Sequence, residues 1–137
     1  MSLEHLLGDR IGTGGHREVY KHTSDETLVI KKVKNNNVSY NKSEYKTWVQ
    51  SMYLGFSNWL VPCVHISMDN IYLVQLFGKP IEKEEVPENI PHFLMYDWTN
   101  PRQWVKINGQ VKMCDYDHDQ LRSLEKEFRI SNKCKEL

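Results

Sequence analysis

The sequence lacks the features that mark several specialised classes of protein. Its three cysteines are an odd number and are widely spaced, without a CxxC pair, and none of its six histidines stands at HxH, HxxxH or HExxH spacing. We therefore expect neither a disulfide framework nor a zinc or iron site, and we expect a reducing compartment. Lys plus Arg equals Asp plus Glu, 18 against 18, so no basic field favours binding to nucleic acid or to a membrane surface.

Long apolar runs are also missing. No window approaches the ~20 residues of a membrane span, and the N-terminus MSLEHLLGDR has no basic segment followed by an apolar stretch. A cytoplasmic protein is the resulting expectation. The 137 residues are the size of one domain, and 39% of them are hydrophobic, which is enough for a core without disulfides or metal.

The first half of the chain predicts strands and one main helix. Residues 11–33 alternate short apolar runs with turn residues, which indicates two or three antiparallel strands. A polar loop follows, in which Ser39, Asn41 or Ser43 is expected to cap a helix that ends near Gly55. The residues expected to face the core are Tyr45, Trp48, Val49 and Met52, and those expected on other faces are Glu44, Lys46, Gln50 and Ser51.

The second half predicts further strands and a second lobe. WLVPCVHI and IYLVQLF flank the turn SMDN as two strands, and the Pro- and Glu-rich GKPIEKEEVPENIP is expected to be a connecting loop. Asn108-Gly109 favours a tight hairpin with Val105 and Ile107 against Val111 and Met113. The tail is expected to be helical, with an apolar stripe at Leu121, Leu124 and Phe128. The fold class is α+β, one domain of residues 1–137 with lobes at about 1–78 and about 79–137.

The stretch IGTGGHREVYK is the first candidate site. Gly12 and Gly14 can expose their amides where a side chain would block a phosphate, and a strand follows, as in protein kinases and not as in a helix-opening P-loop. A plain glycine hairpin between strands is the alternative. In LVIK the strand alternation directs Lys31 inward, where it needs an anionic partner, and Glu44 is the natural one.

Asp115 lies at the end of the predicted hairpin, in MCDYD. A carboxylate opposite the glycine loop is placed to hold a magnesium ion that bridges phosphates. Asp117 and Asp119 add negative charge nearby. The alternative is an acidic turn that caps the last helix.

These residues resemble a known family. The stretch GTGGHREVYKHTSDETLVIKKV is similar to the start of the bacterial YrbL-type (PhoP regulatory network) kinase-like proteins, in which Gly-x-Gly-x-His-Arg precedes a tyrosine, a histidine, an acidic turn and an Ile-Lys strand. The matching residues are Gly12, Gly14, His16, Arg17, Tyr20, His22, Asp25, Ile30 and Lys31, and then Glu44, Tyr45, Lys46 and Pro62. The resemblance covers roughly the first half of the chain.

The resemblance implies a reduced protein-kinase-like fold that binds ATP and Mg²⁺. Lys31, paired with Glu44, would hold the phosphates beneath a loop of Gly12, Gly14, His16 and Arg17, and Asp115 would stand where kinases have the aspartate of Asp-Phe-Gly. The catalytic-loop positions relative to Pro101 depart from the kinase pattern. Asp97 lies one residue early for the base, and Gln103 replaces the metal-binding asparagine.

The short chain leaves several functions open. A minimal ATP-dependent phosphotransferase would use these residues on an unknown acceptor, whereas a catalytically inactive pseudokinase would bind a protein partner through exposed members of an aromatic set. That set is Trp59, Phe77, Phe93, Tyr96, Trp98 and Trp104. A second copy of the chain could replace the missing lobe as a homodimer, and the shortening suggests a phage or mobile-element gene. The third hypothesis is an α+β binding domain without a nucleotide site.

Overall fold

The computed structural model describes residues 2–95 and 97–116. Three sequence expectations therefore lie outside the described residues: the helical tail with its apolar stripe, the charges of Asp117 and Asp119, and the place of Tyr96 in the aromatic set.

The larger sheet has five antiparallel strands in the order β1-β2-β3-β5-β4. The strands are β1 (Leu7–Thr13), β2 (Arg17–His22), β3 (Leu28–Val33), β4 (Cys63–Ile66) and β5 (Tyr72–Leu76). The predicted strands of residues 11–33 and the pair around SMDN are confirmed. With one main helix, α1 (Ser39–Leu54), the described chain has the α+β architecture that the sequence predicted.

The start of α1 differs from the prediction, whereas its end agrees with it. Val38 occupies the N-cap position without a side-chain cap, so none of Ser39, Asn41 and Ser43 caps the helix. Gly55 follows the helix with φ of 85°, a conformation that glycine adopts without steric cost, and its N–H donates to the Ser51 carbonyl.

The face of α1 that meets the sheet was predicted wrongly. The buried residues are polar, at Asn41, Glu44, Thr47 and Ser51, whereas Met52 is 49% exposed. Tyr45 and Trp48 do pack against the core, from the flank of this stripe. An apolar-periodicity argument cannot find a polar buried stripe, because it assigns polar side chains to solvent.

The smaller sheet has three strands, β6 (Lys79–Pro80), β7 (Trp104–Ile107) and β8 (Gln110–Met113), in chain order. The Asn108-Gly109 hairpin is confirmed, with φ of 50° and 79° at its two turn residues. The segment of residues 78–91 was expected to be a connecting loop only, but it contributes β6 and a 3-10 turn at Lys83–Glu85.

The faces of the β7–β8 hairpin differ from the prediction. Ile107 pairs with Gln110 across the two-residue turn, so Trp104 pairs with Met113 and Val105 with Lys112. Val105 therefore does not face Met113, because cross-strand partners share a face of the sheet. Trp104 and Met113 enter the core, which leaves Val105 on the opposite face.

The main core joins the two sheets. Leu60 forms a parallel bridge with Met113, and the Val61 N–H donates to the Met113 carbonyl at 2.9 Å. Phe93 and Trp104 of the aromatic set are buried, whereas Phe77 is 37% exposed. None of the helices in the described ranges combines the length and apolar content that crossing a membrane requires.

Candidate functional site

Four charged residues form a cluster between the two sheets, three of them buried and Asp115 partly exposed; we call Arg17, Lys31, Glu44 and Asp115 the ionic cluster. Arg17 Nη1 and Lys31 Nζ lie 2.7 Å and 2.9 Å from Glu44 Oε2, and Arg17 Nη2 lies 2.8 Å from Asp115 Oδ1. The Glu44 side chain has no exposed surface, and Arg17 is 6% exposed. The ion pair predicted between Lys31 and Glu44 is therefore present, and Arg17 extends it to Asp115.

Backbone and amide groups complete the cluster. The Tyr116 N–H donates to Glu44 Oε1 at 2.7 Å, and Lys31 Nζ donates to the Cys114 carbonyl. Asn41 accepts from Arg17 Nη1 at 3.1 Å and donates to the Ile71 carbonyl at 2.8 Å. Buried charges require such partners, since each bond offsets part of their lost hydration. The cluster thus joins β2, β3, α1 and the segment after β8.

A cavity of about 230 Å³ opens directly above the ionic cluster. We call it the polar cavity, and its lining includes Gly14, His16, Arg17, Lys31, Arg102 and Asp115. Three of these side chains are cationic and one is anionic, so the cavity suits an anionic ligand that reaches Lys31 from the glycine turn.

A second cavity of about 300 Å³ meets the polar cavity at Val19, Lys31 and Cys114. We call it the apolar cavity, and its lining includes Ile11, Val19, Val29, Leu76, Val105 and Cys114. Its back wall contains Gln75, which is 1% exposed. Val105 forms the floor of this cavity. The hairpin register explains this position, because Val105 faces the cavity only when Trp104 faces the core.

Gly78 sets the narrow approach between the two sheets beside the apolar cavity. A Cβ built on this residue would lie 2.7 Å from Val105 Cβ, closer than real Cβ contacts. Any side chain at position 78 would therefore displace the cavity floor.

A third cavity of about 480 Å³, the side cavity, lies beside the other two. It shares Ile11 and Val105 with the apolar cavity and Arg102 with the polar cavity. Gly12 lines this side cavity and not the polar one. The three cavities thus lie side by side as a cleft between the sheets, in the size range of small-molecule sites.

The glycine turn is a closed hairpin. The Gly14 N–H donates to the Arg17 carbonyl at 2.9 Å, and Lys34 Nζ donates to the Gly14 carbonyl at 2.6 Å. The Gly14 amide is thus used within the turn, which differs from the expectation that it would be exposed to a phosphate. His16 stacks on Tyr40, with ring centroids 4.0 Å apart, at the rim of the polar cavity.

Asp97 and Gln103 lie together but apart from the ionic cluster. Gln103 Nε2 and Asn100 Nδ2 each donate to Asp97 Oδ2 at 3.4 Å, and neither Asp97 nor Gln103 lines the polar cavity. Asp97 has φ of 49°, a left-handed conformation that is uncommon outside glycine and recurs at functional positions. The Gln103 backbone is nevertheless close to the cluster, since its carbonyl accepts from the Cys114 N–H at 2.8 Å.

Burial keeps the two described thiols protonated at neutral pH. It raises the pKa of Cys63 to about 12 and that of Cys114 to about 11. Burial also raises the pKa of Tyr116, whose hydroxyl donates to the Val61 carbonyl at 2.6 Å. Cys114 therefore contributes a neutral wall to both cavities that it lines.

The sequence missed four residues that build the site: Asn41, Arg102, Cys114 and Tyr116. Asn41 precedes Glu44 by three positions on α1, so the two share a face, and this spacing was the available signal. Cys114 and Tyr116 flank Asp115 directly. For Arg102 the sequence offered no signal, because its place depends on how the two sheets meet.

Comparison with known proteins gives no family assignment. No protein-family model matches the chain, and a search of curated proteins finds no match. Within residues 2–95 and 97–116, no group of three or more His, Cys, Asp or Glu side chains is arranged to hold a metal ion.

Proposed function

We propose that the chain is a kinase-like nucleotide-binding protein that acts as a minimal ATP-dependent phosphotransferase. The observation that carries this proposal is the junction of the apolar and polar cavities at Lys31. The apolar cavity would take an adenine ring by burial of apolar surface. The phosphates would extend into the polar cavity, where Lys31 would donate to them. The YrbL-type resemblance of residues 12–31 supports the same assignment.

Magnesium fits one part of this arrangement. Mg²⁺ is commonly held by one or two carboxylates together with substrate phosphates, and Asp115 supplies one carboxylate, with a side chain that is 43% exposed at the polar cavity. Bound there, the ion would supply neutralisation of phosphate charge. Gln103, the second metal ligand expected from the sequence, does not line the polar cavity, and its role stays a prediction.

The remaining roles follow from position. Glu44 orients Lys31 and Arg17, and Arg17 orients Asp115, so the ionic cluster fixes the groups that would contact phosphate. Asp97 would accept the proton of an acceptor hydroxyl; this role is assigned from its place before Pro101 in the sequence, since it does not line the polar cavity. Phosphoryl transfer depends mainly on such positioning and charge stabilisation.

The test is calorimetric titration of the purified chain with ATP, with and without Mg²⁺. We expect saturable binding that Mg²⁺ strengthens, that Lys31→Met abolishes, and that Asp115→Asn leaves insensitive to Mg²⁺. Lys42→Met is the matched control, because Lys42 is an exposed lysine on α1. Circular dichroism of each variant separates lost binding from lost folding. Absence of binding by the wild type at millimolar ATP would refute the proposal.

A second candidate function is a pseudokinase that regulates or inhibits a protein partner. The observation that favours it is that Asp115 and Asp97 both have protein partners, Arg17 at 2.8 Å and Gln103 at 3.4 Å. Under this function, one partner protein binds with unchanged affinity after Asp115→Asn, and no phosphate is transferred. Incubation with radiolabelled ATP and that partner distinguishes the two functions, because only the phosphotransferase labels an acceptor.

A further inference from the structure

Arg102 stands at the point where the polar cavity and the side cavity meet. Its side chain is exposed, and no described residue forms a hydrogen bond or ion pair with its guanidinium group. The hydrogen bonds of Arg102 to described residues involve only its backbone. The other two cations of the polar cavity, Arg17 and Lys31, are instead held by carboxylates.

The charge balance of the site gives Arg102 its significance. Among the described residues, the cations of Arg17 and Lys31 are matched by the carboxylates of Glu44 and Asp115. Charges that cancel in this way give little net attraction for the several negative charges of a polyphosphate. Arg102 adds the positive charge that this balance lacks, and it does so at the cavity wall.

The backbone around Arg102 is held in place before any ligand binds. Its N–H donates to the Asn100 side chain at 3.0 Å, Pro101 precedes it in a 3-10 turn, and its carbonyl accepts from Cys114 Sγ at 3.6 Å. Its neighbour Gln103 is bonded to Cys114 through the backbone at 2.8 Å. The guanidinium thus projects from a fixed backbone, which lowers the entropy cost of binding a phosphate.

We propose that Arg102, in the polar cavity that Lys31 also lines, binds the terminal phosphates of the nucleotide and so distinguishes triphosphate from shorter nucleotides. This inference rests on the proposed function and assigns one more phosphate-binding residue to the same site. A planar guanidinium with several donors suits the oxygens of a phosphate better than a lysine does.

The experiment compares ATP, AMP, adenosine and inorganic tripolyphosphate as ligands of wild type and Arg102→Gln. Charge-assisted bonds of this kind contribute enough that we expect about 10-fold weaker binding of ATP and of tripolyphosphate to Arg102→Gln. Binding of adenosine should not change. Arg102→Lys should recover only part of the loss, because lysine keeps the charge and not the paired donors.

Arg10→Gln is the matched control, since it removes the same charge from an exposed arginine that pairs with Glu18 on the larger sheet. ATP binding that is equal in wild type and Arg102→Gln would overturn the inference while leaving the proposed function intact. Equal weakening of adenosine and ATP would also overturn it, since that pattern indicates a structural role. Equal weakening of ATP binding by Arg10→Gln would also overturn the inference, since Arg102 would then act only through the net charge of the protein. Failure of wild type to bind ATP at all would instead refute the proposed function.

Discussion

Replacement of Glu44 by glutamine tests the ionic cluster most directly. The Glu44 carboxylate is fully buried and accepts from Arg17, Lys31 and the Tyr116 N–H. Glu44→Gln keeps the shape of the side chain but leaves two buried cations against one carboxylate. Breaking a buried ion pair from one side costs about 3–5 kcal/mol, because the remaining charge is desolvated without compensation. That is a large part of the about 5–15 kcal/mol by which domains are stable.

The assay is urea denaturation followed by tryptophan fluorescence. With a slope of about 2 kcal/mol per molar urea, the midpoint should fall by about 2 M in Glu44→Gln. Glu18→Gln is the control, because Glu18 also pairs with an arginine, Arg10, but at the surface, and surface pairs contribute under about 1 kcal/mol.

A second variant keeps the test informative if Glu44→Gln does not fold. Adding Arg17→Met removes one of the two buried cations and leaves one cation against one carboxylate, so the double variant should be more stable than Glu44→Gln by at least about 1 kcal/mol. A loss under about 1 kcal/mol in Glu44→Gln, or no recovery in the double variant, would refute the reasoning from buried charge.

Two further predictions concern the walls of the apolar cavity. Gly78→Ala should lower the free energy of unfolding by about 1–3 kcal/mol and weaken adenosine binding, because the new methyl group overlaps Val105; unchanged values in urea denaturation and calorimetry would contradict the close approach. Cys114, with its pKa raised from 9.0 to about 11, should react with iodoacetamide at pH 7.5 about 100-fold more slowly than an ordinary thiol. The rate of this reaction should rise about tenfold per pH unit up to that pKa. Mass spectrometry of the Cys114 peptide measures the rate, and equal rates in the folded and the urea-unfolded chain would contradict the burial.

Local patterns predicted the strands, the hairpin turn and the end of α1, because alternation and turn chemistry act over a few residues. The buried face of α1 was not predictable in that way. Asn41 and Glu44 of its polar stripe are explained by Arg17 and Lys31, which approach them from the sheet. The prediction of the face on which Val105 lies was wrong for a related reason, since the strand register depends on the core that Trp104 fills.

The candidate site shows the same division. Lys31 and Glu44 could be paired from sequence because a buried lysine needs an anion nearby. That Arg17 would reach Asp115, 98 positions away, required the meeting of two sheets. The roles proposed for Asp97, Gln103 and Asp115 stay predictions until nucleotide binding is measured.

The ties between the two sheets have a consequence for the kinetics of ligand binding. The sheets are bonded at the core by Leu60 and Met113 and at the cleft by Arg17 and Asp115. Separation of the sheets would break both connections, so we expect opening of the cleft in that way to be slow. The space beside Gly15, at the tip of the glycine turn, is open, since a Cβ on this residue would meet no atom within 4 Å. We therefore expect ligand to enter past Gly15 without separation of the sheets, and a bulky residue at position 15 should slow binding and release together while leaving affinity nearly unchanged.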